Sequence, residues 1–232
     1  MNQVQLYDLS THQSTLQNLP VDFGWGGSYT PLSSNSLMCL GPTKSVYELD
    51  LASIQLSPLP GLRVPRAYAG VAKNEEFVYI FGGQGQGMKV LNSCEKYSLR
   101  DKLWLSMGNM QFGRCEFTPC PFQANIYLLS PKTTLKIEKF STETDVFAQI
   151  SVPLPGQLQS PSVSFISNGE LYLLTDSQKL GCWKVESREE FRVSDTNKRC
   201  WSSQLPLLVG PVAYIAYGGA VERFSLETFA FI

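Results

Sequence analysis

The sequence is poor in histidine. Its 232 residues include one, His12. Copper sites use several imidazole ligands, so a single histidine cannot build one. His12 lies in the polar stretch Ser10–Gln13, where we expect a solvated turn residue without a catalytic role.

Charge and long apolar runs are also scarce. Charged residues make up 17% of the chain and the net charge is −1, so nucleic-acid binding has no electrostatic support. No apolar run approaches the ~20 residues that span a bilayer, and Met1–Tyr7 lacks the basic start and apolar core of a signal peptide. With no Asn-x-Ser/Thr acceptor, we expect a cytoplasmic protein that binds neither nucleic acid nor membrane.

The six cysteines favour the same compartment. They are Cys39, Cys94, Cys115, Cys120, Cys182 and Cys200. Those on predicted strands read as small buried hydrophobic residues in a reducing environment. Cys115 and Cys120 lack the second close pair that a zinc site usually has, so we expect neither a metal nor another cofactor.

What the sequence does contain is a pattern that recurs about every 40 to 50 residues, as in repeat proteins. Its clearest copy runs from Phe77–Phe81 through the pair Gly82-Gly83. The residues in register with Tyr79 are predicted to be Met38, Tyr127, Tyr172 and Ile215. The aromatic mark of the next strand falls at Tyr7, Tyr47, Tyr97, Phe140, Trp183 and Phe224. Seven residues beyond this mark stand Ile54, Trp104, Phe147 and Phe231, with Phe191 one residue out of step.

Each repeat predicts four short strands. Runs such as Phe77–Phe81 and Val212–Tyr217 are β-branched and aromatic, and too short for buried helices. Glycines end the second strand where the chain must leave the sheet without a side chain in the way. Four-stranded sheets at this period fit the blades of a β-propeller, in which each blade covers its neighbour's apolar face.

These residues resemble the Kelch repeat, whose pattern is an apolar strand ending in Gly-Gly, a Glu-x-Tyr strand, a Trp seven residues later and an Arg before the next unit. The second unit matches nearly throughout, with Arg66 before its first strand and Arg114 before the next. The other units keep the spacing and lose marker glycines. The resemblance implies an all-β Kelch-type propeller and leaves the function open, because such propellers serve many roles.

The predicted organisation is one propeller domain over residues 1–232. It has a half blade at 1–20 and blades near 22–60, 64–110, 112–155, 158–197 and 199–232. Val4–Tyr7 matches a third strand and Thr15–Leu19 a fourth. We therefore expect upstream sequence to complete the first blade; the alternative is a five-bladed ring with residues 1–20 as an extra hairpin. The fourth strand of the fourth blade is either Phe191–Val193 or Cys200–Leu205.

Four residues are predicted to bind a partner: Arg66, Arg114, Gln84 and Gln86. In similar Kelch modules, the arginine at this register borders a face that binds acidic peptides, and its planar fork suits a carboxylate. The alternative is an arginine that bonds a nearby loop carbonyl. The other units lack this arginine, which disfavours a strongly acidic ligand.

Gln84 and Gln86 belong to the longest loop, together with Met88 and Lys89. Binding residues usually sit on such loops, carried by a rigid scaffold. The spacing Gly83-x-Gly85-x-Gly87 resembles a nucleotide loop, but Met88–Tyr97 reads as a strand, and phosphate binding needs a helix N-terminus. We interpret the glycines as a flexible loop.

The sequence thus favours a non-enzymatic protein-interaction module. The alternatives are a Kelch-like enzyme, such as a sugar epimerase or oxidase, and a purely structural repeat of a larger protein. Glu95, Glu138 and Glu222 recur at one register. This recurrence indicates a structural task in each blade, such as a hydrogen bond to a neighbouring loop, and disfavours catalysis by these carboxylates.

Overall fold

The computed structural model describes residues 3–19, 21, 23, 26–129, 137–150, 155–158, 161–175, 177–187, 190–198, 206–217 and 220–232, without the side chains of residues 3–5, 157, 161, 162 and 217. Strands dominate this part of the chain, and its helical content is two three-residue 3-10 turns, Gln86–Met88 and Gly156–Leu158. No helix in it has the length and apolar character that crossing a bilayer requires. The chain divides into two compact units, Met1–Glu116 and Phe117–Ile232.

The first unit contains a hairpin and two four-stranded antiparallel sheets. The hairpin pairs β1 (Gln3–Asp8) with β2 (Gln13–Asn18). The first blade consists of β3 (Ser28–Pro31), β4 (Ser36–Leu40), β5 (Val46–Asp50) and β6 (Gln55–Leu59). The second blade consists of β7 (Gly70–Lys73), β8 (Phe77–Phe81), β9 (Cys94–Ser98) and β10 (Leu103–Ser106).

The second unit contains three more sheets of the same antiparallel order. The third blade consists of β11 (Cys120–Phe122), β12 (Asn125–Leu128), β13 (Ile137–Ser141) and β14 (Val146–Ile150). The fourth consists of β15 (Pro161–Ser167), β16 (Glu170–Thr175), β17 (Lys179–Lys184) and β18 (Arg192–Asp195). The fifth consists of β19 (Leu207–Val209), β20 (Val212–Tyr217), β21 (Ala220–Ser225) and β22 (Ala230–Phe231). The predicted all-β class with five four-stranded propeller blades is confirmed. The segment predicted as an N-terminal half blade forms the two-stranded hairpin β1–β2.

Two strand predictions can be refined. The fourth strand of the fourth blade is β18, close to the Phe191–Val193 alternative, whereas Cys200–Leu205 lies outside the described residues. The predicted strand Met88–Tyr97 is wrong in its first half, because β9 begins only at Cys94.

Aromatic pairs join the third and fourth strands of several blades, and they explain the spacing of seven residues. Tyr97 lies opposite Trp104, with ring centroids 5.1 Å apart. Phe140 packs in the same way on Phe147, at 4.8 Å. The rings of both pairs are tilted towards each other across the hairpin, and such cross-strand pairs are the unit by which sheets gain stability from side chains.

The register prediction was wrong at two places. In the first blade the pair that corresponds to Tyr97 and Trp104 is Leu49 opposite Leu56. The predicted mark, Tyr47, lies two residues earlier and opposite Pro58. In the second blade Tyr79 pairs with Lys96, the residue before the aromatic Tyr97. In the fifth blade Tyr214, not Ile215, holds this position, because Tyr214 pairs with Arg223, the residue before Phe224. Aliphatic residues at the marker position of the first blade hid the true phase.

The core of each unit lies between adjacent blades. In the first unit it combines side chains of both blades: Met38, Leu40, Val46, Leu62, Val71, Val78, Ile80, Tyr97 and Trp104. A comparable cluster joins the fourth and fifth blades, including Phe165, Leu174 and Phe224. Removing this apolar surface from water fixes how neighbouring blades stack, and it therefore positions the loops at the ends of their strands.

Candidate partner-binding groove in the first unit

The glycine pair after β8 is required by its backbone conformation and by its neighbours. Gly82 and Gly83 have φ angles of 59° and 96°. A Cβ atom at Gly82 would lie 2.2 Å from the carbonyl oxygen of Arg114, and one at Gly83 would lie 2.7 Å from that of Ala67. Two other segments thus approach the chain closely here, and only glycine leaves room for both.

The long loop, residues 82–93, is itself a hydrogen-bonded hairpin. Leu91 donates its backbone N–H to the carbonyl of Gly83 at 2.8 Å, and Gly85 donates to Lys89 at 2.9 Å. Gln84 and Ala67 exchange a pair of backbone hydrogen bonds at 2.7 and 2.9 Å. This ladder does not fit the interpretation of a flexible loop, and the three-residue turn Gln86–Met88 is no helix that could hold a phosphate.

Arg66 lies beneath this loop. Its side chain has no exposed surface. Nη1 donates to the carbonyl oxygens of Gly82 and Ser93, at 2.7 and 2.8 Å. Nη2 pairs with Oε1 of Glu95 at 2.9 Å. These contacts match the alternative in which the arginine bonds nearby loop carbonyls, so the guanidinium supports the loop from inside.

Glu95 ties the same structure to the segment between the first two blades. Its carboxylate accepts the backbone N–H groups of Arg63 and Val64, at 2.8 and 3.1 Å. The predicted structural task of this glutamate, a hydrogen bond to a neighbouring loop, is confirmed. Glu222 contacts the stretch before its own blade through a side chain instead, because its Oε1 pairs with Lys198 Nζ at 2.5 Å.

Arg114 is buried as well. Its Nη1 donates to the carbonyl of Phe112 at 3.2 Å. Its backbone accepts a hydrogen bond from Gly83 at 2.7 Å and donates one to Leu91 at 3.1 Å. The long loop is therefore held from both sides, by Ala67 on one flank and by the Arg114 backbone on the other.

A groove of about 510 Å³ lies between this loop and the shorter loop 41–45 of the first blade. Its lining residues are Pro42, Thr43, Lys44, Pro65, Ala67, Gln84, Gly85, Gln86 and Met88. The short loop is also anchored, because the carbonyl of Lys44 accepts the N–H of Leu62 at 2.8 Å. Both walls are thus fixed by backbone hydrogen bonds, which suits a preformed binding site.

The surface of the groove is apolar with a positive edge. Pro42, Pro65 and Met88 contribute exposed apolar surface, and Met88 is 76% exposed. Lys44 lines the groove and Lys89 is exposed on the loop beside it. No acidic side chain is among the lining residues in the described part of the chain.

The structure therefore separates the four predicted binding residues into two pairs. Gln84 and Gln86 line the groove, Gln86 being exposed and Gln84 half-buried. Arg66 lies buried beneath the long loop, and Arg114 is buried on the flank of that loop away from the groove. Neither arginine lines the groove. Sequence reasoning missed Lys44 and its neighbours, although loop 41–45 occupies the same register one repeat before the long loop.

The described residues that could serve catalysis or metal binding lie apart or are engaged in structural contacts. His12 lies in the exposed β1–β2 turn, where its Nδ1 is 3.1 Å from the Tyr7 hydroxyl. Glu95 is engaged in the contacts above, and Glu138 is buried. No group of three or more His, Cys, Asp or Glu residues among the described positions could hold a metal ion.

Comparison with known proteins agrees with this architecture. The family profile of the Kelch motif matches residues 65–111. This segment contains the whole second blade, with Arg66, the glycine pair, Glu95 and Trp104. No curated protein matches the chain.

Proposed function

We propose that this chain, which is a Kelch-repeat protein, is a protein-interaction module that docks an extended segment of a partner protein in the groove of its first unit. The observation that carries the proposal is the exposed apolar groove between two hydrogen-bonded loops. Kelch blades are a common scaffold for protein interactions, and binding residues are usually carried on loops above such a rigid scaffold.

Rigidity supports this proposal. The exchange of backbone hydrogen bonds between Gln84 and Ala67 fixes the long loop before any partner arrives. A preorganised site loses little conformational freedom on binding, which favours affinity. In this proposal Arg66 and Arg114 organise the groove, while Gln84 and Gln86 contact the partner.

The lining indicates the chemistry of the docked segment. An apolar side chain of the partner would pack among Pro42, Pro65 and Met88. A carboxylate next to it would meet Lys44, and the side-chain amides of Gln84 and Gln86 would hydrogen-bond its backbone. A lysine acts here as a point charge without the bidentate geometry of arginine, so we expect one acidic residue in the segment rather than an acidic run.

We also place the protein in the cytoplasm. Cys39, Cys120 and Cys182 are buried as thiols rather than disulfides, as is usual in a reducing compartment. Imaging of the fluorescently tagged full-length protein would test this assignment; accumulation in the secretory pathway would overturn it.

The docking proposal can be tested by selecting binders from a random peptide library displayed on phage. The full chain serves as bait, and the double variant Lys44→Glu/Met88→Glu is screened in parallel. The variant Val146→Glu is a matched control, because Val146 is an exposed apolar residue in the other unit. Both surface changes should leave folding intact.

The proposal expects enriched peptides that bind the wild type and Val146→Glu and lose binding to the double variant. They should share one apolar and one acidic residue. Peptides that bind all three proteins equally would place the interaction elsewhere. A selection that enriches nothing would favour the purely structural repeat.

A further inference from the structure

A second cavity lies between the first two blades, at the opposite ends of their strands from the groove. Its volume is about 210 Å³, and its polar lining residues are Ser33, Glu48, Tyr97 and Lys102. Leu32, Leu59 and Leu99 form its apolar walls. Ser33 belongs to the β3–β4 turn and Lys102 to the β9–β10 turn, so the docking groove does not use this cavity.

Tyr97 carries a buried hydroxyl that no described group satisfies. Its side chain is 1% exposed, and the oxygen has no hydrogen-bond partner among the described residues. Burial and the nearby charge of Glu48 raise the pKa of Tyr97, so the hydroxyl stays neutral. An unsatisfied buried hydroxyl is unfavourable, and a hydrogen bond to a bound ligand would remove this cost.

Glu48 faces the same space. Glu48 is half-buried and lies on β5 opposite Met38. Met38 belongs to the core between the two blades. The Glu48 carboxylate acts electrostatically on Tyr97 without a direct hydrogen bond between them. A group that donates to both oxygen atoms would bridge this gap.

The cavity is larger than one bridging water needs. A water molecule takes about 30 Å³ in the liquid, a small part of the volume enclosed. The three leucines offer apolar surface to the rest of the occupant. A ligand that matches this lining has a cationic donor at one end and a short hydrocarbon chain at the other.

We propose that this cavity binds an alkylammonium group. Its nitrogen donates hydrogen bonds to the Glu48 carboxylate and to the Tyr97 oxygen, and its chain packs against Leu32, Leu59 and Leu99. The ammonium belongs either to a free amine or to a lysine side chain of a partner. The Lys102 ammonium stands at the edge of the cavity as a like charge and weakens binding.

The first test titrates the full chain with n-butylammonium and, separately, with its neutral analogue n-butanol. NMR chemical shifts monitor binding. Nα-acetyl-lysine N-methylamide forms a third arm that imitates a lysine side chain within a protein. The proposal expects n-butylammonium to bind at least tenfold more tightly than n-butanol. If the lysine analogue binds as tightly as n-butylammonium, the source is a partner's lysine; if only n-butylammonium binds, the source is a free amine.

Three variants locate the binding. Tyr97→Phe keeps the ring and removes the unsatisfied hydroxyl, so it should weaken n-butylammonium about tenfold, since hydrogen bonds to charged groups are strong, while leaving the melting temperature equal or higher. Glu48→Gln should abolish the preference for the amine over the alcohol. Lys102→Gln should tighten amine binding, because it removes a positive charge that repels the ammonium of the ligand.

The opposite signs of the Tyr97→Phe effects separate a binding site from a structural role. A purely structural tyrosine would change stability and leave the amine affinity unaltered. Equal binding of n-butylammonium and n-butanol to the wild type and to Lys102→Gln would overturn the proposal. So would an unchanged amine affinity in Tyr97→Phe or Glu48→Gln.

Discussion

The guanidinium of Arg66 and the carboxylate of Glu95 form an ion pair in the interior, with Nη2 2.9 Å from Oε1 and side-chain exposures of 0% and 4%. Arg66 bonds both ends of the long loop, at Gly82 and Ser93. Glu95 bonds the segment that enters the second blade. The pair thereby joins three stretches of chain that the sequence separates, and it supports the groove from below.

Breaking this pair should destabilise the protein strongly. Arg66→Met leaves the Glu95 carboxylate buried without its counterion, which typically costs about 3–5 kcal/mol. Urea unfolding gives the free-energy difference. The matched control is Lys198→Met, which removes the cation of the more exposed Lys198–Glu222 pair and should cost less than about 1 kcal/mol. Equal losses in the two variants would contradict the structural role of Arg66.

Comparing Gly82 with Gly87 separates the effect of a close contact from the effect of the backbone conformation. Gly82 and Gly87 both have positive φ, 59° and 68°, but a Cβ atom at Gly87 meets nothing within 4 Å. Gly82→Ala and Gly87→Ala share the strain of the left-handed conformation, about 1–2 kcal/mol. Gly82→Ala must also displace the Arg114 carbonyl.

We therefore expect Gly82→Ala to unfold at distinctly lower urea concentration than Gly87→Ala, with a difference of at least about 2 kcal/mol, in the range that overpacking produces. If both variants lose the same stability, the glycine is needed for its φ angle alone, and the predicted clash with Arg114 is absent in solution.

Individual residues show which parts of the fold could be predicted from the sequence. The pairing of Tyr97 with Trp104 follows from a local spacing, and it could be read directly because a hairpin brings residues seven apart together. The same rule misplaced the first blade, where Leu49 and Leu56 take the positions of the aromatic residues. Aliphatic residues satisfy the packing but leave no distinctive mark.

The binding surface was harder to predict. Whether Arg66 points inward depends on Glu95 and two loop carbonyls, and a sequence motif does not encode this direction. Lys44 joins the groove because adjacent blades stack, which brings together loops about 40 residues apart. The period of the repeat implies that neighbourhood; the side-chain contacts follow only from the packed structure.

Thiol labelling tests the packing between strands. Burial raises the pKa of Cys39 and Cys120 to about 12 and that of Cys182 to about 11, above the ordinary value of 9.0. The thiolate is the reactive form, so in the folded protein these residues should resist iodoacetamide at pH 8. Half-buried Cys115 should react faster than these three, as measured by mass spectrometry of peptides.

The pH dependence has a definite sign. Because folding raises these pKa values, the neutral thiols contribute stability that is fully present below pH 9 and is lost as pH rises through 11 to 12. Labelling of all sites in urea is the control. Rates at Cys39, Cys120 and Cys182 equal to that at Cys115 in the folded protein would contradict the buried placement.

The most direct test of partner docking is amide hydrogen exchange of the full chain, with and without a peptide obtained by the library selection. The account predicts that the peptide slows exchange in loop 41–45 and in the long loop, and that Lys44→Glu/Met88→Glu abolishes the slowing. Slowed exchange confined to the unit Phe117–Ile232, or to the turns at the opposite ends of the strands, would contradict the groove as the binding site.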